Sequence, residues 1–381
     1  MSALFNTSDF FAEMHKLSSA DTKKAEFLHS QFSNYEIPII TTTKQEKEQV
    51  GRIFERINNT AAELTLLDLM VAWTWGDDFH LQEEIKDIQE TLDSKGFEKT
   101  GDKIILQCIA AIIRRSSKTK DIMSLEPNAV RTTMPKVRIS IEKAIDFLAT
   151  EFGISSKDFL PHSHQIVPLA FFFSIVEVPS TEQSNVLRQW FWRTGFSKRY
   201  AGSTDTKMND DIEFFAEVAA DNYEGISRYD NKIDENTLIN QNFSITNPYA
   251  RAFLLLLAHN KPLNLINGNA IDLGQALSRY NLKEYHHVFP RAFLKSQGVE
   301  AEKINSVCNF CFLSSASNKS ISNKAPSDYM FNVVPQNEYK KITKSNLLPI
   351  KKQIYQNDSY DIFIKARAKL VKKLYDKLTS G

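Results

Sequence analysis

At 381 residues the chain is long enough for two or three domains, each burying its own core. A formal net charge of +1 and an apolar fraction of 42% exclude a disordered or fibrous protein, and bulk charge names no partner. Three cysteines, Cys108, Cys308 and Cys311, are too few for a disulfide scaffold, and no apolar run nears membrane-spanning length, so the reading is a cytoplasmic protein outside any membrane.

The periodic pattern predicts a mainly α fold. From about residue 5 to 120 the chain reads as helical, with one extended piece, Glu36-Ile37-Pro38-Ile39-Ile40, suited to an edge strand. A helix over Glu46 to Ile57 places Val50, Ile53, Phe54 and Ile57 on one face and stops at the turn formers Asn58-Asn59-Thr60. Thr65 is placed to N-cap a helix from Leu66 to Trp75. A boundary is expected between Ser116 and Pro135, where a polar run and two prolines interrupt the pattern. Helices resume over Val137 to Phe152 and after Pro168, and Tyr200 to Ile212 reads as a polar loop. A further helix covers Pro248 to His259. The expected domains are 1–120, a helical middle domain at 121–265, a small domain at 266–335 and a basic helical extension at 336–381.

From Asn281 the pattern changes. Tyr285-His286-His287-Val288-Phe289-Pro290 reads as a short strand, Val307 to Leu313 as a second, and Ser314 to Lys319 as the start of a helix. Neighbouring strand residues point to opposite faces, so His286 and His287 are expected to do different jobs. Histidine supplies a base that titrates near neutrality, and equally a ligand for a metal ion.

HHVFP, then Asn309, then Asn318 nine residues on, resembles the ββα-metal finger of HNH endonucleases, with the spacing of the HNH domain of the CRISPR effector nuclease. More narrowly, HHVFPRAFL followed by NKSISNKAPSDYM resembles the C-terminal nuclease domain of GmrSD-type, modification-dependent restriction enzymes, over roughly Asn267 to Tyr329. The resemblance implies a metal-dependent endonuclease acting on modified or phage DNA in restriction or anti-phage defence. It makes His286 and Asn318 the metal ligands, His287 the general base, and Asn309 the residue that orients His287. With two neutral ligands the ion is held weakly, Mg²⁺ by default and Mn²⁺ plausible beside an imidazole. Lys319 and Lys324 lie close enough in sequence to reach the phosphate.

A second reading remains open: a non-catalytic DNA-binding or sensor subunit in which His286, His287, Cys308 and Cys311 hold a structural zinc. His162-Ser163-His164 repeats the histidine–proline spacing but leads into LAFFFSIV, and reads as the cap of a buried helix. The stretch QWFWRTGFSKRY offers Trp190, Trp192, Arg193, Lys198, Arg199 and Tyr200 to a nucleic acid, or else to the core. A terminal helix over Ile362 to Leu378 is amphipathic and basic, with Lys365, Arg367, Lys369, Lys372, Lys373 and Lys377.

The segment from Ile37 to Leu69 resembles the later part of the ParB-like domain that precedes the nuclease in GmrSD-type proteins, with Phe54-Glu55-Arg56-Ile57-Asn58 matching its helix-end motif. That domain's Asp-Gly-Gln-Gln-Arg signature is lacking. The nucleotide site is therefore expected in a truncated part or on a partner polypeptide, and no NTPase activity is expected of this chain alone.

Overall fold

The computed structural model describes residues 7–35, 65–277, 285–313 and 315–380. The edge strand expected at Glu36 to Ile40, the helix at Glu46 to Ile57, the turn at Asn58 to Thr60 and the Phe54 to Asn58 motif lie outside them. Two compact units emerge, Met1–Ile57 and Asn58–Gly381, and the boundaries expected near residues 120, 265 and 335 fall inside the second. In the first unit, α1 (Thr7–Met14) precedes α2 (Ser19–Ser33). Ser18 caps α2 by accepting from the Asp21 N–H at 3.3 Å, and the Phe10 ring stacks on His29 at 4.2 Å.

The second unit begins with α3 (Leu66–Thr74), capped as expected. The Thr65 hydroxyl accepts from the Asp68 N–H at 3.2 Å and the Asp68 carboxylate accepts from the Thr65 N–H at 2.8 Å, a reciprocal pair that meets two otherwise orphaned donors. There follow α4 (Leu81–Thr91), α5 (Asp102–Arg114), α6 (Pro127–Phe152), α7 (Ile166–Ile175), α8 (Thr181–Gly195) and α9 (Thr204–Ala219). Every residue of α7 from Ile166 to Phe173 is buried, because a helix apolar on all sides has no face to give to water. Helices α5, α6 and α9 pack around it, making the main core.

Two expectations fail here. Helix α6 runs straight through Pro135, which costs one backbone hydrogen bond but leaves Val130, Met134, Val137 and Ile141 buried in one stripe. The polar loop shrinks as well, since α9 starts at Thr204. Apart from the buried Asp211 its polar residues are at least partly exposed, while Met208, Ile212, Phe215 and Val218 are buried at helical spacing.

Next come α10 (Glu235–Asn240) and α11 (Pro248–His259), the latter with the expected bounds. Strand β1 (Tyr285–His287) leads into α12 (Arg291–Ser296) and α13 (Ala301–Ile304), then β2 (Phe310–Phe312), α14 (Ser315–Ile321) and α15 (Pro326–Asn332). The second strand is shorter than expected, because Val307–Asn309 forms a 3₁₀ turn. The last helix, α16 (Tyr360–Thr379), packs on α8, α10 and α11 and so belongs to the core rather than to an appended extension. Its Arg367 is fully buried, donating to the Cys308 carbonyl at 2.9 Å and the Asn346 carbonyl at 3.3 Å. That removes Arg367 from the basic face, where Lys365, Lys369, Lys373 and Lys377 remain exposed. The fold is mainly α, and among the described residues no helix is long and apolar enough to cross a membrane.

Candidate functional site

Strands β1 and β2 pair antiparallel, with Tyr285 opposite Phe312, His286 opposite Cys311 and His287 opposite Phe310. Past His287 the chain bends, and Asn309 holds the bend. Its backbone carbonyl accepts from the Val288 N–H at 2.7 Å. Its fully buried side-chain amide accepts from the Phe289 N–H at 2.9 Å and donates to the Phe289 carbonyl at 3.1 Å and the Ile304 carbonyl at 3.0 Å. Tyr329, also buried, donates its hydroxyl to the Val288 carbonyl at 2.6 Å. Each main-chain group turned inward by the bend thereby meets a partner, as burial demands.

Around this bend lies a cavity of about 490 Å³, bordered by His286 and His287, by Arg291 and Lys295 from α12, and by Asn318 and Asn323 from α14 and beyond. Helix α14 closes with Ser322 in the left-handed region (φ 50°), its N–H bonded to the Asn318 carbonyl at 2.7 Å. The cavity wraps the end of β1, so both histidines reach it despite strand alternation. They still meet different neighbours. The His287 ring packs against Phe310 at 4.3 Å, and its Nε2 lies 3.3 Å from Oδ1 of Asn305. Burial pushes the His287 imidazole below its ordinary value, and the Asn305 contact pulls against that. A neutral ring at pH 7, able to accept a proton, is the consequence.

The structure thus brings together His286, His287 and Asn318 and keeps Asn309 out of the cavity. Asn309 makes no side-chain bond to His287; it fixes the two residues after it, and the ring's partner is Asn305. Lys319 and Lys324 are exposed and do not border the cavity. Arg291 and Lys295 do, and sequence reading missed them. Their signal was there: spaced four apart directly after His-His-x-x-Pro, they share one helix face.

The aromatic-basic stretch is core. Trp190 and Trp192 are buried, and Arg193 is spent on carbonyls, donating to Ile226 at 2.7 Å, to Tyr229 at 3.3 Å and also to Thr379. Arg199 pairs with the fully buried Asp211, its Nη2 2.7 Å from a carboxylate oxygen that also accepts from the Tyr229 hydroxyl at 2.6 Å. Tyr200 donates to the other oxygen at 2.6 Å. Burying these charges is tolerable only with such partners, so neither arginine is available to DNA. Lys198 alone of the group is exposed.

The donor set sorts the metals. His286 and Asn318 offer one imidazole and one amide oxygen beside a roomy opening, and among the described residues no carboxylate lines it. A hydrated Mg²⁺ or Mn²⁺ that keeps most of its water fits that set. A tetrahedral zinc does not. Cys308 and Cys311 are buried, burial pushes their thiols up to about 12 and about 11, and among the described residues no three His, Cys, Asp or Glu side chains gather.

No protein-family model matches the chain. An uncharacterized protein of Methanocaldococcus jannaschii is 26% identical over 356 residues, which cover 84% of this chain and 56% of that protein. The chain thus spans little more than half the length of that relative.

Proposed function

We propose that the chain is a metal-dependent DNA endonuclease of the HNH type, resembling the nuclease of GmrSD-like restriction systems. One observation carries the reading: a single cavity collects His286, His287 and Asn318 with two cations, Arg291 and Lys295. Such a lining attracts a phosphodiester by charge and offers it a neutral base. β1, β2 and α14 would form the ββα element. In this reading a water oxygen attacks phosphorus, its proton passes to His287, and the bond from phosphorus to the 3′ oxygen breaks, that oxygen taking a proton from solvent. Arg291 and Lys295 hold the phosphate in line. A divalent ion held by His286 and Asn318 would supply charge stabilisation on the phosphate and the departing oxygen. DNA of foreign or modified type, within a restriction or anti-phage system of the cytoplasm, is the substrate proposed. A nucleotide site would sit on a partner or a further domain.

Metal binding tests the site without reference to the substrate. Mn²⁺ titration followed by electron paramagnetic resonance is expected to show weak, exchangeable binding that Asn318→Ala weakens at least ~10-fold, in line with loss of one ligand among few. Chelation is expected to leave the melting temperature unchanged. Stoichiometric zinc whose removal unfolds the protein would replace this reading with a structural metal site.

A further inference from the structure

The His287 ring is held on two sides by groups that sequence spacing did not single out. Phe310, its cross-strand neighbour, lies 4.3 Å away, and Phe243 stacks on Phe310 at 4.0 Å with the rings 17° apart. Asn305 supplies the polar contact, with Oδ1 3.3 Å from His287 Nε2. Asn305 is itself fixed through its backbone. Its N–H donates to the Ala301 carbonyl at 3.1 Å, and its carbonyl accepts from the Phe243 N–H at 2.8 Å. Two residues on, the Val307 N–H donates to the Gln241 carbonyl at 2.8 Å, so residues 241–243 run against 305–307 as a short antiparallel bridge. The bridge ties the site to the segment that follows α10. An amide oxygen can only accept, so the ring proton facing it sits on Nε2 and the lone pair is left on Nδ1.

Resting on the nuclease reading above, we propose that Asn305 is the positioning residue of the base: it fixes His287 as the Nε2–H tautomer and makes Nδ1 the nitrogen that takes the proton from water. Asn309 has a separate task, holding the chain after the base rather than the ring. This division explains why two asparagines four residues apart both face the turn, one inward to the backbone and one to the imidazole. The proton balance is that of the hydrolysis above. His287 gains one proton at Nδ1 as the water oxygen bonds to phosphorus, becoming an imidazolium whose Nε2–H still donates to Asn305, and later returns a proton to solvent.

Long-range ¹H–¹⁵N correlation of the histidine rings in the full chain, labelled with ¹⁵N-histidine and assigned with His287→Gln, reads the tautomer directly. The expected result is an Nε2–H ring in the metal-free wild type, a mixture of tautomers in Asn305→Ala, and a return to Nε2–H in Asn305→Asp, which restores an accepting oxygen. Cleavage assays should show kcat lowered about 10-fold in Asn305→Ala with KM little changed, the loss of roughly one hydrogen bond in the transition state. Asn305→Asp should recover most of it. An Nδ1–H ring in the wild type, with the Asn305 amide turned to donate, overturns the inference, as does an Asn305→Ala spectrum identical to the wild type. The two readings fail separately. Wild-type protein that cuts DNA but shows an Nδ1–H ring sinks only the role of Asn305, whereas wild type that cuts no DNA with any divalent ion sinks the nuclease reading and takes the positioning role with it.

Discussion

Asn309 shows how much one buried amide can organise. It meets three main-chain groups at once, the Phe289 N–H and the Phe289 and Ile304 carbonyls, from a position with no exposure to water. Replacing it with alanine would strand all three away from solvent, and each stranded group costs on the order of 1–3 kcal/mol. Some relaxation and water entry would reduce the sum, so a loss of about 2–5 kcal/mol is expected for Asn309→Ala, read from the urea midpoint at constant m-value. A loss under about 1 kcal/mol would mean that the bend does not depend on this side chain. At this scale sequence reading singled out His286, His287 and Asn318, which border one cavity, but misplaced the contacts of Asn309. Spacing places Asn309 near His287 in the chain. It cannot tell whether an amide faces a ring or a peptide, because that depends on where α13 and the bend bring Ile304 and Phe289. For the same reason the guanidinium groups of Arg193, Arg199 and Arg367 read as surface charge. Their carbonyl and carboxylate partners lie beyond the reach of local spacing, 12 residues away for Arg199 and Asp211 and 186 for Arg193 and Thr379.

Among the elements, local signals predicted what local physics decides. The Thr65 cap and the bounds of α11 both follow from capping residues and apolar spacing. Where the signals competed, tertiary burial won, at Pro135 within α6 and at the polar first turns of α9. The entrance to α7 makes a prediction of its own. His162 precedes this buried helix with its Nε2 shielded from water and without a hydrogen-bond partner among the described residues. Burial, followed by the charges of His164 and Arg251, pushes the imidazole down to about 4. An unfolded histidine titrates near 6.5. Between those values the unfolded chain binds more protons than the folded one, so stability rises with pH there. The contribution of His162 is complete above about pH 6.5 and lost as pH falls toward about 4, amounting to at most about 3 kcal/mol. His162→Gln should flatten the stability profile across that window in urea titrations at successive pH values. A profile unchanged by the substitution would place the acid sensitivity elsewhere, with His164 and His259, both also lowered by burial, as the next groups to test.

For the whole molecule, the small sheet is not a free-standing module. α16 reaches from its own end of the chain to bond the carbonyl of Cys308 through Arg367, and residues 241–243 bridge to 305–307, so the helical unit and the cavity share one core. That arrangement is why expected domain boundaries at 265 and 335 fall within a single compact unit. It also sets what the function test must use, namely the full chain rather than an excised fragment. The central claim is that His287 is the base of a phosphodiesterase, and the direct measurement is single-turnover cleavage of DNA by wild type and His287→Ala with saturating Mg²⁺ or Mn²⁺. Phage DNA carrying modified bases should be included beside unmodified plasmid. The account predicts cleavage by wild type and a rate lower by on the order of 10²–10⁴ in His287→Ala, with the melting temperature and Mn²⁺ binding retained. Equal cleavage by the two proteins would contradict it.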